Sequence, residues 1–261
     1  MGGRGATSSS GKMGIGSGAT LTPQDDSNVQ VDNTQVASAF SANYDQFMAM
    51  TDDEKADFIS ANVKQGVPDH LADNSLQRFI YHSGLNEKPD VVDDATLDTM
   101  TGTEIFRTVN FVDKDKNPKD IGYTAPQIAK QVMGGRYTRV SDDGGSVYGR
   151  GIYFADTYSG SVGYGDHTGK VKSTAVMRAK LNSNAKVINS YTADSLASKE
   201  ISSGSKLGRV LRNCDNDSRA SIYAMAKGYN VMSNGHGYIV VLNRNAITMS
   251  SDIKAKGTSW K

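Results

Sequence analysis

The residues best equipped for chemistry crowd into one stretch, Gly144–Gly165, which reads GGSVYGRGIYFADTYSGSVGYG. Glycines there surround Tyr148, Tyr153, Tyr158 and Tyr164, with small hydroxyl residues between them. Glycine lets backbone approach a ligand closely and reach positive φ, and aromatic faces stack on flat rings. The combination describes a pocket for a planar, partly charged group. A Gly-rich hairpin whose tyrosines merely pack is the competing reading. The GxG within the stretch is not a dinucleotide fingerprint, because no helix with a phosphate-facing start follows a strand at the required spacing.

A second candidate is Arg107, in the run Phe106-Arg107-Thr108-Val109 on a predicted strand. Its planar fork suits a phosphate or ribose oxygens held in fixed geometry. The alternative is a surface arginine on a strand edge. His82 sits in Tyr81-His82-Ser83-Gly84 at the end of a predicted helix, where a last-turn histidine is favoured by the helix dipole. Asp215 and Asp217 precede another helix and are expected to cap it. Cys214, the only cysteine, reads as a buried, inert thiol, and a single cysteine rules out intramolecular disulfides and cysteine-rich zinc sites.

The elements that must position these groups fall into two blocks. Residues 1–33 are rich in Gly, Ser and Thr and bury too little apolar surface to offset their ordering entropy, so a flexible leader is expected. Residues 34–100 form a helical region. Val36, Phe40, Tyr44, Phe47 and Met48 recur at helical spacing, and Thr51-Asp-Asp-Glu54 is a capping box for a helix to about Gln65. Asn74 caps a helix through SLQRFIYH closed by Gly84, and a shorter one runs from Asp94 to Met100.

From Glu104 the pattern becomes strand-like. EIFRTVNF is followed by a helix capped at Thr124 and ending at Gly134-Gly135. Strands are predicted at GIYFA, STAVMRAKL, AKVI, NVM, GYIVVLN and AITM, and helices near 193–201, 206–213 and 218–227. Helices first and a strand-dominated half afterwards argue for an α+β architecture, with 101–261 as the second domain.

Composition narrows the functions. Hydrophobic residues make up 37%, enough for a core, and 29 basic residues against 28 acidic ones leave a net charge of +1. That balance gives no support for polyanion binding through bulk charge. No apolar run approaches a bilayer span and no secretory h-region opens the chain, so no membrane partner is expected, and localisation in a host cytoplasm or inside a particle is.

GRGIYFADTYSGSVGYG resembles the second signature of ADP-ribosyltransferases, especially the poly-ADP-ribose polymerase branch. The resemblance implies a split β-sheet core and NAD as substrate. It makes Tyr153 and Tyr164 the pair that sandwiches nicotinamide and Ser161 the contact to its carboxamide. FRTV resembles the aromatic-Arg start of the arginine-type enzymes, which implies Arg107 and Thr108 at the ribose or phosphate side. Ser146, Gly151, Phe154, Ala155 and Asn230 complete the expected cofactor-binding set. Arg107, Tyr153 and His236 are the expected catalytic residues.

One departure stands out. The family presents a glutamate on a late strand, where it bonds the ribose 2′-hydroxyl and stabilises an oxocarbenium-like transition state. On His236–Arg244 that position falls on Gly237 in one alignment and Ile239 in the other, and neither is an acid. Asn230 and His236 are the nearby polar substitutes. Longer segments between Leu76 and Met249, and the MGGRGA start, are similar to proteins encoded beside head-assembly genes of tailed phages and prophages. The readings are a mono-ADP-ribosyltransferase acting on a macromolecular acceptor, most simply a protein, or a non-catalytic head-associated virion protein retaining the fold. An RNA 2′-phosphate transferase is a weaker third, its basic and histidine positions not being recognisable here.

Overall fold

A computed structural model of the chain describes residues 41–68, 71, 73–112, 125–134, 148–165 and 171–255. The leader, Val36, Phe40, the Thr124 cap and Ser146 lie outside the described residues, as does the side chain of Tyr164.

The helical block is built on the expected caps. Helix α1 (Tyr44–Ala49) is boxed by Asn43 and Gln46, and α2 (Asp52–Val63) by Thr51 and Glu54. Asn74 caps α3 (Ser75–Ser83), which Gly84 closes, and Asp93 caps α4 (Asp94–Thr99). Each such cap satisfies backbone N–H groups that a helix start otherwise leaves orphaned. Between α3 and α4 lies a short strand, β1 (Asp90–Val92), that the sequence pattern did not announce.

The second half contributes β2 (Glu104–Val112), α5 (Ala125–Gly134), β3 (Ile152–Ala155), α6 (Tyr158–Gly165), β4 (Val171–Leu181) and β5 (Val187–Asn189). Then follow α7 (Ser190–Ser203), α8 (Lys206–Arg212), α9 (Asn216–Ala226), β6 (Val231–Ser233), β7 (Tyr238–Val241) and β8 (Ile247–Ala255). Helix α6 occupies part of what the sequence presents as a Gly-rich segment with no helix in it.

The strands form one mixed sheet in the order β1-β8-β4-β2-β3-β7-β6-β5. It is an α+β arrangement in which β1–β8 and β5–β6 are parallel at the two edges and the ladders between them are antiparallel. The sheet is nearly two sheets. β2 pairs with β4 all the way from Glu104↔Lys180 to Val112↔Val171, yet it meets β3 only at Phe106↔Ala155. Two four-stranded halves therefore join at a single rung.

Two hydrophobic clusters hold the halves. One lies beneath the helices and joins Phe47, Phe58, Ile59, Leu76 and Phe79 to Leu211, Ile222, Met232, Val240 and Leu242. Regions 34–100 and 101–261 thus share one core. The Phe47, Phe58 and Phe79 rings meet at 5.5–6.2 Å between centroids, each pair being worth about 0.5–1.5 kcal/mol beyond area burial. The other cluster lies on the opposite face of the sheet and includes Ile105, Ile152, Phe154, Met177, Ile239 and Val241 with Ala129 and Val132 of α5. Strand alternation explains the division: Ile239 and Val241 point to one face of β7 and Val240 to the other. No helix among the described residues is long and apolar enough to cross a membrane.

Candidate functional site

Four of the sequence-selected residues, Arg107, Thr108, Tyr153 and Ser161, lie about the junction between the halves. On β2, alternation sends Ile105 and Arg107 to one face and Phe106 and Thr108 to the other. Arg107 reaches across the gap where β2 leaves β3, and its Nη1 donates to the Tyr153 carbonyl at 2.7 Å. Its Nε is buried without a hydrogen-bond partner. Burial pushes its guanidinium down to about 10, so it stays cationic at neutral pH. Among the described residues no carboxylate pairs with it.

On the other face, α6 packs directly on β2. Thr157 Oγ1 accepts from Gly160 N at 3.1 Å as the helix starts, and the Tyr158 ring meets Phe106 edge-on at 6.0 Å. One turn later the buried Ser161 hydroxyl shares a 2.7 Å hydrogen bond with Thr108 Oγ1. The serine expected to meet a carboxamide and the threonine after Arg107 are therefore already partners. A ligand amide must exchange for that bond or share it.

Tyr153 is partly buried against the helical cluster. Its hydroxyl donates to the Gly149 carbonyl at 2.5 Å and accepts from Tyr148 N at 3.3 Å. Phe154 turns into the opposite cluster, and Ala155 is buried at the rung with Phe106. Gly151 has a packing reason to be glycine: a Cβ there would lie 2.4 Å from Val240 Cγ1 and 3.1 Å from the Val241 carbonyl oxygen. β3 is thereby free to run tight against β7, which fixes the tyrosine next to the gap.

Arg150, inside the same Gly-rich run, is locked elsewhere. Its Nε is 3.0 Å from Asp215 Oδ1 and its Nη2 3.4 Å from Asp217 Oδ2, and its carbonyl accepts from Ser221 Oγ. It fastens the strand to α9. Asp215 is the cap of α9, whereas Asp217 sits in its first turn.

The two polar residues singled out near β7 separate. Asn230 is buried, and its Oδ1 accepts from Lys186 N at 2.8 Å, tying the start of β6 to the start of β5. His236 is exposed on the turn before β7, its backbone N–H donating to Asn234 Oδ1. Gly237, next in line, has φ +101°, and Asp156 N donates to its carbonyl at 3.0 Å. Tyr164 belongs to α6 by backbone, but its ring is outside the described residues, so the proposed tyrosine sandwich has one described member, Tyr153.

The remaining groups are structural. His82 Nε2 donates to the Gly66 carbonyl at 2.7 Å. Cys214 is buried, and desolvation pushes its thiol up to about 11, the behaviour of an inert core cysteine. No group of histidines, cysteines and acids among the described residues has the arrangement of a metal site. A shallow groove lined by Val91, Lys130, Met133, Gly134 and Ser251 lies beside β1, β8 and α5, apart from the junction.

Two features escaped the sequence reading. Tyr148 stacks on Tyr238 (5.4 Å, 21°) and meets Tyr191 edge-on, extending an aromatic surface beside Tyr153. Asp156 follows β3 directly, and its place after the YFA strand end was the only signal it had. Comparison with family models, with curated proteins and with solved structures yields no match.

Proposed function

We propose that the chain is an NAD-dependent mono-ADP-ribosyltransferase of phage or prophage origin that modifies a host macromolecule, with a protein as acceptor. The observation that carries the reading is the grouping about the one-rung junction: Arg107 of β2 reaches the Tyr153 backbone carbonyl from one face, and on the other face Thr108 meets Ser161 of α6. These residues were singled out from sequence signatures far apart in the chain. The sheet divided into halves agrees with the architecture that the same resemblance implies. An uncompensated buried guanidinium is the kind of group that waits for an anion, and a pyrophosphate is one.

In this reading the nicotinamide ring stacks on Tyr153, its carboxamide competes for Ser161, and Arg107 holds the ribose or phosphate side. Binding the dinucleotide bent weakens the bond between ribose C1′ and the nicotinamide nitrogen. The bond electrons leave with nicotinamide, and an acceptor nucleophile adds to C1′ and releases its proton. Extension into a polymer is not expected, because the resemblance assigns that step to the missing glutamate.

The non-catalytic reading, a head-associated virion protein, has its own support. No acid stands at 237 or 239, and Thr108, Ser161 and the Tyr153 hydroxyl bond within the protein. One pair of measurements decides. Saturation-transfer NMR is expected to show NAD contacts at the nicotinamide protons that fade in Tyr153→Ala. Labelled NAD with host lysate is expected to give a labelled band that Arg107→Ala abolishes. Absence of NAD contact leaves the virion reading, and a band unaffected by Arg107→Ala removes this site assignment.

A further inference from the structure

We infer that Asp156 supplies the anion that the strand β7 lacks, its carboxylate taking the place a side chain at position 237 would fill. The inference rests on the NAD reading above. Positions 156 and 237 face each other one step beyond the Ala155↔Tyr238 rung, and Asp156 N donates to the Gly237 carbonyl at 3.0 Å. A Cβ added at Gly237 would lie 3.2 Å from Asp156 Oδ1 and 3.8 Å from its Cγ and Oδ2. The carboxylate thus occupies the space into which a residue-237 side chain would project.

The turn that creates this vacancy is held in place. Asn234 Oδ1 accepts from His236 N at 2.8 Å and from Tyr238 N at 3.0 Å, which pins the backbone on both sides of Gly237. At φ +101° the position suits glycine and disfavours any side chain, so an acid cannot readily be carried there. An acid from the neighbouring strand end can.

Asp156 is also available in a way that other nearby acids are not. Asp215 and Asp217 are engaged by Arg150, and Glu104 by Arg178. Asp156 is exposed, and among the described residues its carboxylate makes no hydrogen bond or ion pair. Ala155, immediately before it, forms the rung with Phe106, the neighbour of Arg107. The arrangement puts a cation within β2 and an anion just past the end of β3, on either side of the Phe106↔Ala155 rung: Arg107 for the phosphate or ribose oxygens, Asp156 for the ribose carbon that turns positive.

The chemistry balances without another reagent. The C1′–nitrogen bond breaks and its electron pair neutralises the pyridinium, leaving positive charge on the ribose ring. The Asp156 carboxylate accepts a hydrogen bond from a ribose hydroxyl and faces that charge. Water or the acceptor then adds at C1′ and gives up a proton. Preorganised charge of this kind acts on the transition state rather than on ground-state binding.

Nicotinamide release from labelled NAD, with water as acceptor, tests this on the full chain alongside calorimetric NAD binding. Asp156→Asn is expected to lower kcat by about 10²–10³-fold while the NAD Kd and Tm stay at wild-type values. Asp156→Glu is expected to restore part of the rate. A loss below tenfold in Asp156→Asn overturns the inference, as does a loss matched by weaker NAD binding or a lowered Tm. Wild-type protein that binds NAD but never releases nicotinamide also overturns it and leaves the binding reading standing. Failure to bind NAD at all removes both.

Discussion

Arg107 and Arg178 stand on neighbouring strands, one residue out of register, and their surroundings are opposites. Arg178 on β4 is ringed by acids: it bonds Glu104 and Asp98 and lies 3.5 Å from Asp94, which Lys254 also reaches at 3.1 Å. Burial alone would pull its guanidinium down, but the bonds to Asp98 and Glu104 more than reverse that, and it is held above the ordinary arginine value. Arg107 has a backbone carbonyl and a buried, unpartnered Nε, and burial acts on it unopposed. The same residue type is neutralised where it ties α4 to β2 and β4, and left uncompensated where the halves of the sheet part. A charge kept unneutralised at a gap is costly to the fold, which makes the position a candidate for holding an anion.

The sharpest way to break this comparison is to remove each guanidinium in turn. Arg178→Met is expected to lose about 3 kcal/mol of stability by chemical denaturation, since it leaves a cluster of acids facing one another. Arg107→Met is expected to leave stability unchanged or slightly raised, because no carboxylate is stranded and only the hydrogen bond to the Tyr153 carbonyl is lost, while NAD-dependent labelling disappears. Equal destabilisation by the two would show that Arg107 is structural too.

A smaller effect sharpens the picture on the far side of β2. Thr108→Val keeps the shape but strands the buried Ser161 hydroxyl, at a cost of about 1 kcal/mol. A bound carboxamide can satisfy that hydroxyl, so the NAD Kd is expected to tighten by up to about fivefold. Unchanged or weaker affinity in calorimetry would detach Ser161 from the ligand.

The smallest effect concerns pH, at the clamp that holds the Gly-rich strand. Burial pushes Asp215 up, but hydrogen bonds from Ser75, Arg150 and Ser218 outweigh it and hold the carboxyl below its ordinary value of 3.8. A carboxyl depressed in the folded state contributes stability that is complete above the unfolded value. That contribution fades as pH falls below 3.8 towards the folded one. Wild-type stability is expected to fall more steeply than that of Asp215→Asn across this window. Parallel acid denaturation curves would contradict it.

Local chemistry made much of the fold legible. The caps at Thr51, Asn74 and Asp215 act within three residues, and the strand character of β2, β3, β4 and β7 follows from β-branched and aromatic residues. What stayed hidden depends on distant partners. β1 is three residues long and exists because it finds β8 far along the chain, and β8 runs on through the polar residues Ser250, Ser251 and Asp252. Helix α6 carries Gly160, Gly163 and Gly165, a composition that argues against a helix, and it is held by the contacts of Tyr158 and Ser161 with β2. Within the candidate site, Arg107, Tyr153 and Ser161 were legible from motif order. The internal Thr108–Ser161 bond and the Asp156–Gly237 juxtaposition were not, because cross-strand register is set only once the sheet assembles.

The core beneath the helices has a consequence for how the chain is made. Phe47, Phe58 and Phe79 leave the ribosome well before Val240 and Leu242, against which their cluster closes. At ordinary rates of synthesis the early helices wait roughly ten to thirty seconds with their apolar faces uncovered. Their nascent segments should therefore need chaperone shelter, and closure of this core should coincide with the emergence of β7 rather than proceed helix by helix.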